Sequence, residues 1–366
     1  MSLLTDHPSV RWAAPVAAAC LIGGGVVASR MTASADTELP TRTAAQLLND
    51  VQSASVPGVS GTVVASADLG LPALPGPAGR GSSSELSSLI SGTHTMRVWA
   101  AGSDRTRLAL LGSNGESDVV RNGNDVWLWS SQQKKATHLR LPAGSAAAHH
   151  ESVPATPQET SRRILDTLQP STTVSVDGTT SVAGRAAYEL VLEPKQSGSL
   201  VKDVRVAIDG KTHVPLRVQV HSTRISKPAI EVGFTSVDFG RPDAGQFTFN
   251  PPPGTDVTTK TVAPQKNSAG MMNDVAGLLK ATKPNVIGSG WTSVLTARVP
   301  EQMPGQKSGE NGPSVDQLVG MLPRVQGAWG SGHQLQGTLF TALVTDDGRL
   351  LVGAVPPQTL YAAAAR

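Results

Sequence analysis

The chain has 366 residues, 39% of them hydrophobic and 16% charged, with 37 glycines, 26 prolines and a formal net charge of +3. That is enough apolar content to bury a core, and the Gly and Pro load favours a turn-rich β protein over a compact helical enzyme. No stretch interleaves Lys and Arg with aromatics as a nucleic-acid surface does, and a single cysteine, Cys20, rules out an intrachain disulfide or a cysteine-based metal site.

Trp12 to Ser29 carries no charge and sits between Arg11 and Arg30, close to the minimum length of a membrane span. Ala33-Ser34-Ala35 supplies the small-x-small pattern of a signal-peptide cleavage site. Residues 1–35 therefore read as a cleaved signal peptide or as an uncleaved anchor through residues 12–29, with Ala17-Ala18-Ala19-Cys20 as a weaker lipoprotein box. Cleaved or anchored, the bulk of the chain is expected outside the cytoplasm, in the cell envelope or beyond it.

Thr43 to Val56 places Ala44, Leu47, Leu48 and Val51 at helical spacing behind a capping Thr, and Pro57-Gly58 stops it. A strand is expected at Val59–Ala67, then a Pro, Gly and Ser loop from Leu69 to Ser84 and a short helix to Ile90. Met96–Ala101, Thr106–Leu111, Glu116–Arg121, Asp125–Ser130 and Ala136–Leu141 follow as strands, separated by Gly112-Ser113-Asn114-Gly115 and Asn122-Gly123. Such turns supply the positive φ of tight hairpins. In Asp125–Ser130, Trp127 and Trp129 share one face and Val126 and Leu128 the other. That leaves two readings: a central strand covered on both sides, or tryptophans lining a cavity.

A helix is expected over Thr156–Leu168, and Asp177-Gly178 and Asp209-Gly210 read as hairpin turns. Five runs then alternate strictly. Tyr188, Leu190 and Leu192 stand between glutamates; Val204, Val206 and Ile208 flank Arg205; Leu216, Val218 and Val220 flank Arg217 and Gln219. Ile230, Val232 and Phe234 flank Glu231, and Phe247 and Phe249 flank Thr248. A period of two with one wet face means an antiparallel sheet whose other face is committed to something apolar. Pro251-Pro252-Pro253 ends the block, because three prolines cannot continue a ladder.

Residues 259–283 read as a linker holding a short helix at Asp274–Leu279, and residues 284–366 as a smaller α+β domain. That domain should contain a strand at Trp291–Arg298, a helix at Val315–Leu322, a hairpin of Gly337–Thr345 with Arg349–Val355, and a helix at Pro357–Ala365.

Catalytic and metal signatures are absent from the sequence. His149-His150-Glu151 has no third ligand at zinc spacing, and Asp346-Asp347-Gly348 leads straight into a strand as a hairpin turn does. There is no Gly-x-Ser-x-Gly elbow, no Gly-x-Gly-x-x-Gly and no phosphate loop. No cofactor, metal or enzymatic activity is expected.

The order of helix, antiparallel strands with Asn122-Gly123-Asn124-Asp125-Val126-Trp127-Leu128-Trp129, helix, and strands ending in Phe247-Thr248-Phe249-Asn250-Pro251-Pro252-Pro253-Gly254-Thr255-Asp256-Val257 resembles a known family. It is similar to the LolA-type lipoprotein carriers and to the N-terminal domain of RseB/MucB-type sigma-factor regulators, over residues 42–258. Asn122 stands where Asp is usual and Trp129 where Tyr is common, while the closing signature matches well. The resemblance implies a mainly β, α+β fold: an open antiparallel half-barrel wrapped around short helices. Its apolar concavity would take a lipid, a lipoprotein acyl chain or a similar ligand without catalysis. It also implies a lid-locking arginine, with Arg105 and Arg107 as candidates. A second domain is a feature of the sensor-type relatives, so the alternative is a regulatory module that binds a membrane anti-sigma factor. The residues expected to line the concavity are Trp99, Leu108, Leu110, Trp127, Trp129, Tyr188, Leu190, Val206, Val218 and Phe234.

Overall fold

The computed structural model describes residues 39–71, 92–102, 104–112, 115–142, 170–261, 284–298 and 319–366. The export segment, the expected helices at Ser84–Ile90, Thr156–Leu168 and Asp274–Leu279, most of the one at Val315–Leu322, and His149-His150-Glu151 lie outside the described residues.

The first expected helix is present as α1, Ala44–Ser53. A capping box starts it: the Gln46 N–H donates to Thr43 Oγ1 at 3.2 Å and the Thr43 N–H to Gln46 Oε1 at 2.8 Å, which satisfies two donors that a helix start otherwise leaves open. At ten residues it is too short to persist alone in water, so its stability comes from docking. Leu47 is fully buried and packs with Tyr188, Leu190 and Ile208, and its neighbours Leu48 and Val51 join the same cluster.

Twelve strands form one sheet: β1 (Val59–Ala67), β2 (Gly92–Ala101), β3 (Arg105–Gly112), β4 (Gly115–Asn122), β5 (Asp125–Ser130), β6 (Lys135–Arg140), β7 (Thr172–Val182), β8 (Arg185–Pro194), β9 (Val201–Asp209), β10 (Pro215–Ser222), β11 (Pro228–Asp238) and β12 (Asp256–Thr261). Their order is β12-β6-β5-β4-β3-β2-β1-β11-β10-β9-β8-β7. Every pairing is antiparallel except that of β12 with β6. The sheet is curled: β7 and β11 touch although three strands separate them in the order, which a flat sheet would hold ~19 Å apart. This is the open half-barrel architecture that the resemblance implied.

Two turn readings change. Asp177-Gly178 lies inside β7, where the register slips between Val176 and Thr179 and Gly178 takes φ 70°. The positive φ is spent on a bulge, and the hairpin turns instead at Ala183-Gly184, with φ of 52° and 74°. The run of Phe247 and Phe249 does not form a strand. Ala244–Phe247 is a 3-10 turn, and both aromatics leave the ladder to pack, Phe247 being 1% exposed. After the three prolines the chain returns to the same sheet as β12.

A second, six-stranded antiparallel sheet comprises β13 (Asn285–Ile287), β14 (Val294–Arg298), β15 (Arg324–Gly327), β16 (Gly330–Gln336), β17 (Thr341–Thr345) and β18 (Arg349–Gly353), in the order β13-β14-β18-β17-β16-β15. The last helix, α2 (Pro357–Ala364), begins with Pro at its first turn, where the missing N–H costs nothing. Leu360, Ala363 and Ala364 of α2 pack on Val294, Leu343, Leu351 and Val355.

The two sheets are joined by a built interface. Leu339, at the turn between β16 and β17, buries itself with Val201 and Ala229, and Val204, Val220, Ile230, Leu69 and Trp291 close around them. Ser222 Oγ donates to the Thr338 carbonyl at 2.7 Å, Arg224 Nη1 to the Gly337 carbonyl at 2.8 Å, and the Leu200 N–H to the Ala354 carbonyl at 2.7 Å. Trp291 Nε1 donates to Thr172 Oγ1 at 2.8 Å.

Candidate functional site

Strand register decides which side chains share a face, because cross-strand partners point the same way. Leu190 pairs with Val206, Val206 with Val218, Val218 with Val232 and Val232 with Ala65. In the same register Phe234 pairs with Val63, Val63 with Met96, Met96 with Leu110 and Val98 with Leu108. One continuous apolar face therefore runs from β8 to β3, and it is the face on which α1 lies.

Three parts of that face differ in what covers them. At one side α1 sits on Tyr188, Leu190, Val206 and Ile208, and the Tyr188 hydroxyl donates to the Pro40 carbonyl at 2.7 Å, tying down the segment that leads into the helix. At one end the turn bearing Leu339 covers Val204, Val220 and Ile230. Between them lies a cavity of about 240 Å³, lined by Val63, Met96, Val98, Leu108, Val232 and Phe234, with Leu216 and Val218 completing its apolar wall. Arg217 also borders it, but register turns its side chain to the opposite face, where the guanidinium donates to Glu189 at 2.9 Å.

The ten residues expected to line the site divide. Leu108, Val218 and Phe234 line the cavity; Leu110 lies beside Met96 in the sheet, fully buried; and Tyr188, Leu190 and Val206 are on the same face beneath α1. The structure does not bring Trp99, Trp127 and Trp129 to them. Trp99 pairs with Arg107, and Trp127 with Val120 and His138, which puts the tryptophans on the opposite face. There two guanidiniums lie over the Trp99 ring, Arg97 at 5.2 Å and Arg107 at 5.5 Å. Trp127 stacks on His138 at 4.1 Å, and Phe249 packs against Trp127 and Trp129 at 5.3 and 5.9 Å. The two sequence motifs that carry the resemblance thus touch each other, as a brace across the outer face. Of the two readings of Asp125–Ser130, its tryptophan side fits the covered strand, while Leu128 on its other side is 37% exposed.

Sequence reasoning missed Val63, Met96, Val98, Leu216 and Val232 as lining residues. The signal was present: Arg97 and Trp99 stand two apart and so share a face, which leaves Met96 and Val98 together on the other.

Away from the aromatic brace, the outer face over β7 to β10 is polar and internally paired. Arg205 reaches Asp177 and Glu189 at 3.0 Å and Asp203 at 3.3 Å, and His221 Nδ1 lies 2.6 Å from Asp203. Both arginines implied as lid-locking candidates lie on this outer side: Arg107 is paired with buried Asp118, and Arg105 lies 4.0 Å from Asp104. Asp118 is 1% exposed; burial pushes its carboxyl up to about 6, because the Arg107 guanidinium offsets only part of the lost hydration and nearby Glu116 adds repulsion. Among the described residues there is no group of three or more His, Cys, Asp or Glu placed to hold a metal, and no helix is long and apolar enough to cross a membrane.

No family model matches the sequence, and no curated protein matches it. Solved structures do. Pseudomonas aeruginosa MucB in its complex with MucA is 16% identical, covers 88% of this chain and 96% of its own, and has a TM-score of 0.43. A LolA superfamily protein from Nitrosomonas europaea is 10% identical over 57% of this chain and 99% of its own, with a TM-score of 0.22. A putative outer membrane lipoprotein-sorting protein domain from Vibrio parahaemolyticus is 11% identical over 52% of this chain and 88% of its own, with a TM-score of 0.19. Both groups named by the sequence resemblance, the MucB type and the LolA type, occur among these structures.

Proposed function

We propose that this is an exported binding protein that holds the hydrocarbon part of a lipid or an acylated protein against the α1-bearing face of its large sheet. The observation that carries this reading is the cavity of about 240 Å³ between Met96, Val98 and Leu108 on one side and Val218, Val232 and Phe234 on the other. Apolar walls of this kind offer water few of the two to four polar partners it needs. Each methylene moved into it from water contributes about 0.8 kcal/mol. Binding of this kind needs no polar constellation and no catalytic group.

The test is a fluorescent fatty acyl probe with purified protein and with Val218→Trp, which puts an indole where a valine 8% exposed now stands. The wild type is expected to take up the probe and the variant to bind it at least about tenfold more weakly, with an unchanged far-UV CD spectrum. A wild-type protein that ignores the probe sinks the proposal.

One feature supports a second reading. Among the described residues the six-stranded unit contributes none to the cavity lining, yet it is fixed to the large sheet by Leu339 and its hydrogen bonds, as a module with a partner of its own would be. In that reading the protein is a sensor for the outer domain of a membrane anti-sigma factor. A pull-down from membrane extract that recovers a single-span regulator rather than acylated proteins selects it.

A further inference from the structure

We infer that the site encloses one hydrocarbon chain at a time, and only about eight carbons of it. The inference rests on the proposed function and narrows its ligand class to single linear chains: a free fatty acid, a monoacyl lipid or one chain of an acylated protein.

The cavity touches side chains of β3, β2, β1, β11 and β10, neighbours in the sheet, so it reaches across at most ~19 Å. A volume of about 240 Å³ spread over half that reach, as the curl of the sheet brings the strands together, has a mean section of about 25 Å². At ~30 Å³ per methylene that is room for one extended chain and not for two. Counting length instead, about 240 Å³ holds roughly eight groups of ~30 Å³, the volume of a liquid water and close to that of a methylene.

The limits on either side are set by the chain itself. Leu47 of α1 occupies the face at Tyr188 and Ile208, and the Leu339 turn of the second sheet occupies it at Val204, Val220 and Ile230. Beyond Leu108 the face continues as Val119 and Leu128, with Leu128 37% exposed. A longer chain that emerges there meets only the half-buried Val119 and the exposed Leu128 and gains less per carbon. The fully buried Met96, 2% exposed and part of the cavity wall, is then a length-determining residue: Met96→Ala deepens the pocket by roughly two methylenes.

The experiment is displacement of a fluorescent acyl probe from the full chain by linear fatty acids of about six to about sixteen carbons, each below its micellar concentration. Matched monoacyl and diacyl phosphatidylcholines of short chain length form the second arm. Affinity should rise about fourfold per methylene up to eight to ten carbons and flatten beyond, and the diacyl lipid should gain no more than about twofold over the monoacyl one. Met96→Ala should move the break about two carbons longer. A slope that continues unbroken to sixteen carbons, or a diacyl lipid bound more than about a hundredfold tighter, overturns the single-chain inference while leaving lipid binding intact. If no chain of any length displaces the probe, the proposed function falls and the inference with it. Should Met96→Ala lower the unfolding midpoint too far for use, Leu108→Ala reports the same shift from a half-buried position.

Discussion

Replacing Asp118 by Asn should make the protein more stable at neutral pH. Asp118 Oδ2 accepts from Arg107 Nη2, while Oδ1 is buried with no hydrogen-bond partner among the described residues. The folded carboxyl is pushed up to about 6 from an ordinary 3.8, so between about pH 4 and pH 6 the folded state binds a proton that the unfolded state has released. Stability from this group is therefore fully present below about pH 4 and is lost as pH rises through about 6. The shift, about two pH units at ~1.4 kcal/mol each, amounts to ~3 kcal/mol. Asn keeps the shape and an acceptor for Arg107 but never ionises. Arg107 itself is 24% exposed and stays partly hydrated when its partner becomes neutral. Urea unfolding of both proteins at several pH values isolates the effect, because the difference curve cancels every titrating group that does not interact with Asp118. Expected is a near-zero difference at pH 4 that grows to about 1–3 kcal/mol in favour of Asp118→Asn above pH 7. A variant that is less stable than the wild type at pH 7.5 and equal to it at pH 4 would show that the Arg107 pair outweighs burial, and would refute the reasoning.

Asp209 should behave in the opposite sense. Although burial works against its charge, the Arg185 fork and donors from Thr212 and Lys211 hold it down at about 2, so its stabilisation is present above pH 4 and fades as pH falls through about 2. Asp209→Asn should cost ~3 kcal/mol in urea unfolding at pH 7, with a cost that shrinks in acid. Leu47→Ala, at a position fully buried beneath α1, should cost about 2–5 kcal/mol. It should also raise hydrogen exchange in α1 before the rest of the sheet, because the helix has little stability without its dock.

The sheet from β8 to β11 was legible because chemistry and period agree there: glutamate, arginine and aspartate pair on one side while aliphatic residues fill the other. Periodicity gives the two faces of one strand, but it does not say which face of the next strand continues which. Size and resemblance point the tryptophans toward the concavity. Register sends Trp99 to the side of Arg97 and Arg107 and leaves the smaller Met96 and Val98 to line the cavity. Glycine was ambiguous in the same way. Gly178 and Gly184 both take a positive φ, and nothing local distinguishes the bulge from the turn. β15 and β16, rich in Gly and Gln, show no apolar alternation and were missed; their place is fixed by pairing to β17, a long-range fact.

What sets the size of the site is how the chain divides one apolar face among three occupants. A curled sheet of twelve strands offers more apolar surface than a ten-residue helix can cover. The helix takes β7 to β9, and the second sheet reaches over the strand ends with a single turn. That turn is held by the Thr338 and Gly337 carbonyls, which accept from Ser222 and Arg224. Backbone acceptors fix its position without presenting a side chain to the cavity, so the second unit limits the apolar face while leaving the wall at Met96, Val98 and Phe234 wholly aliphatic and aromatic. Under the proposed function such a site discriminates by length and width rather than by charge, and its selectivity should follow substitutions at Met96 and Leu339 more closely than substitutions in the ionic network of the outer face.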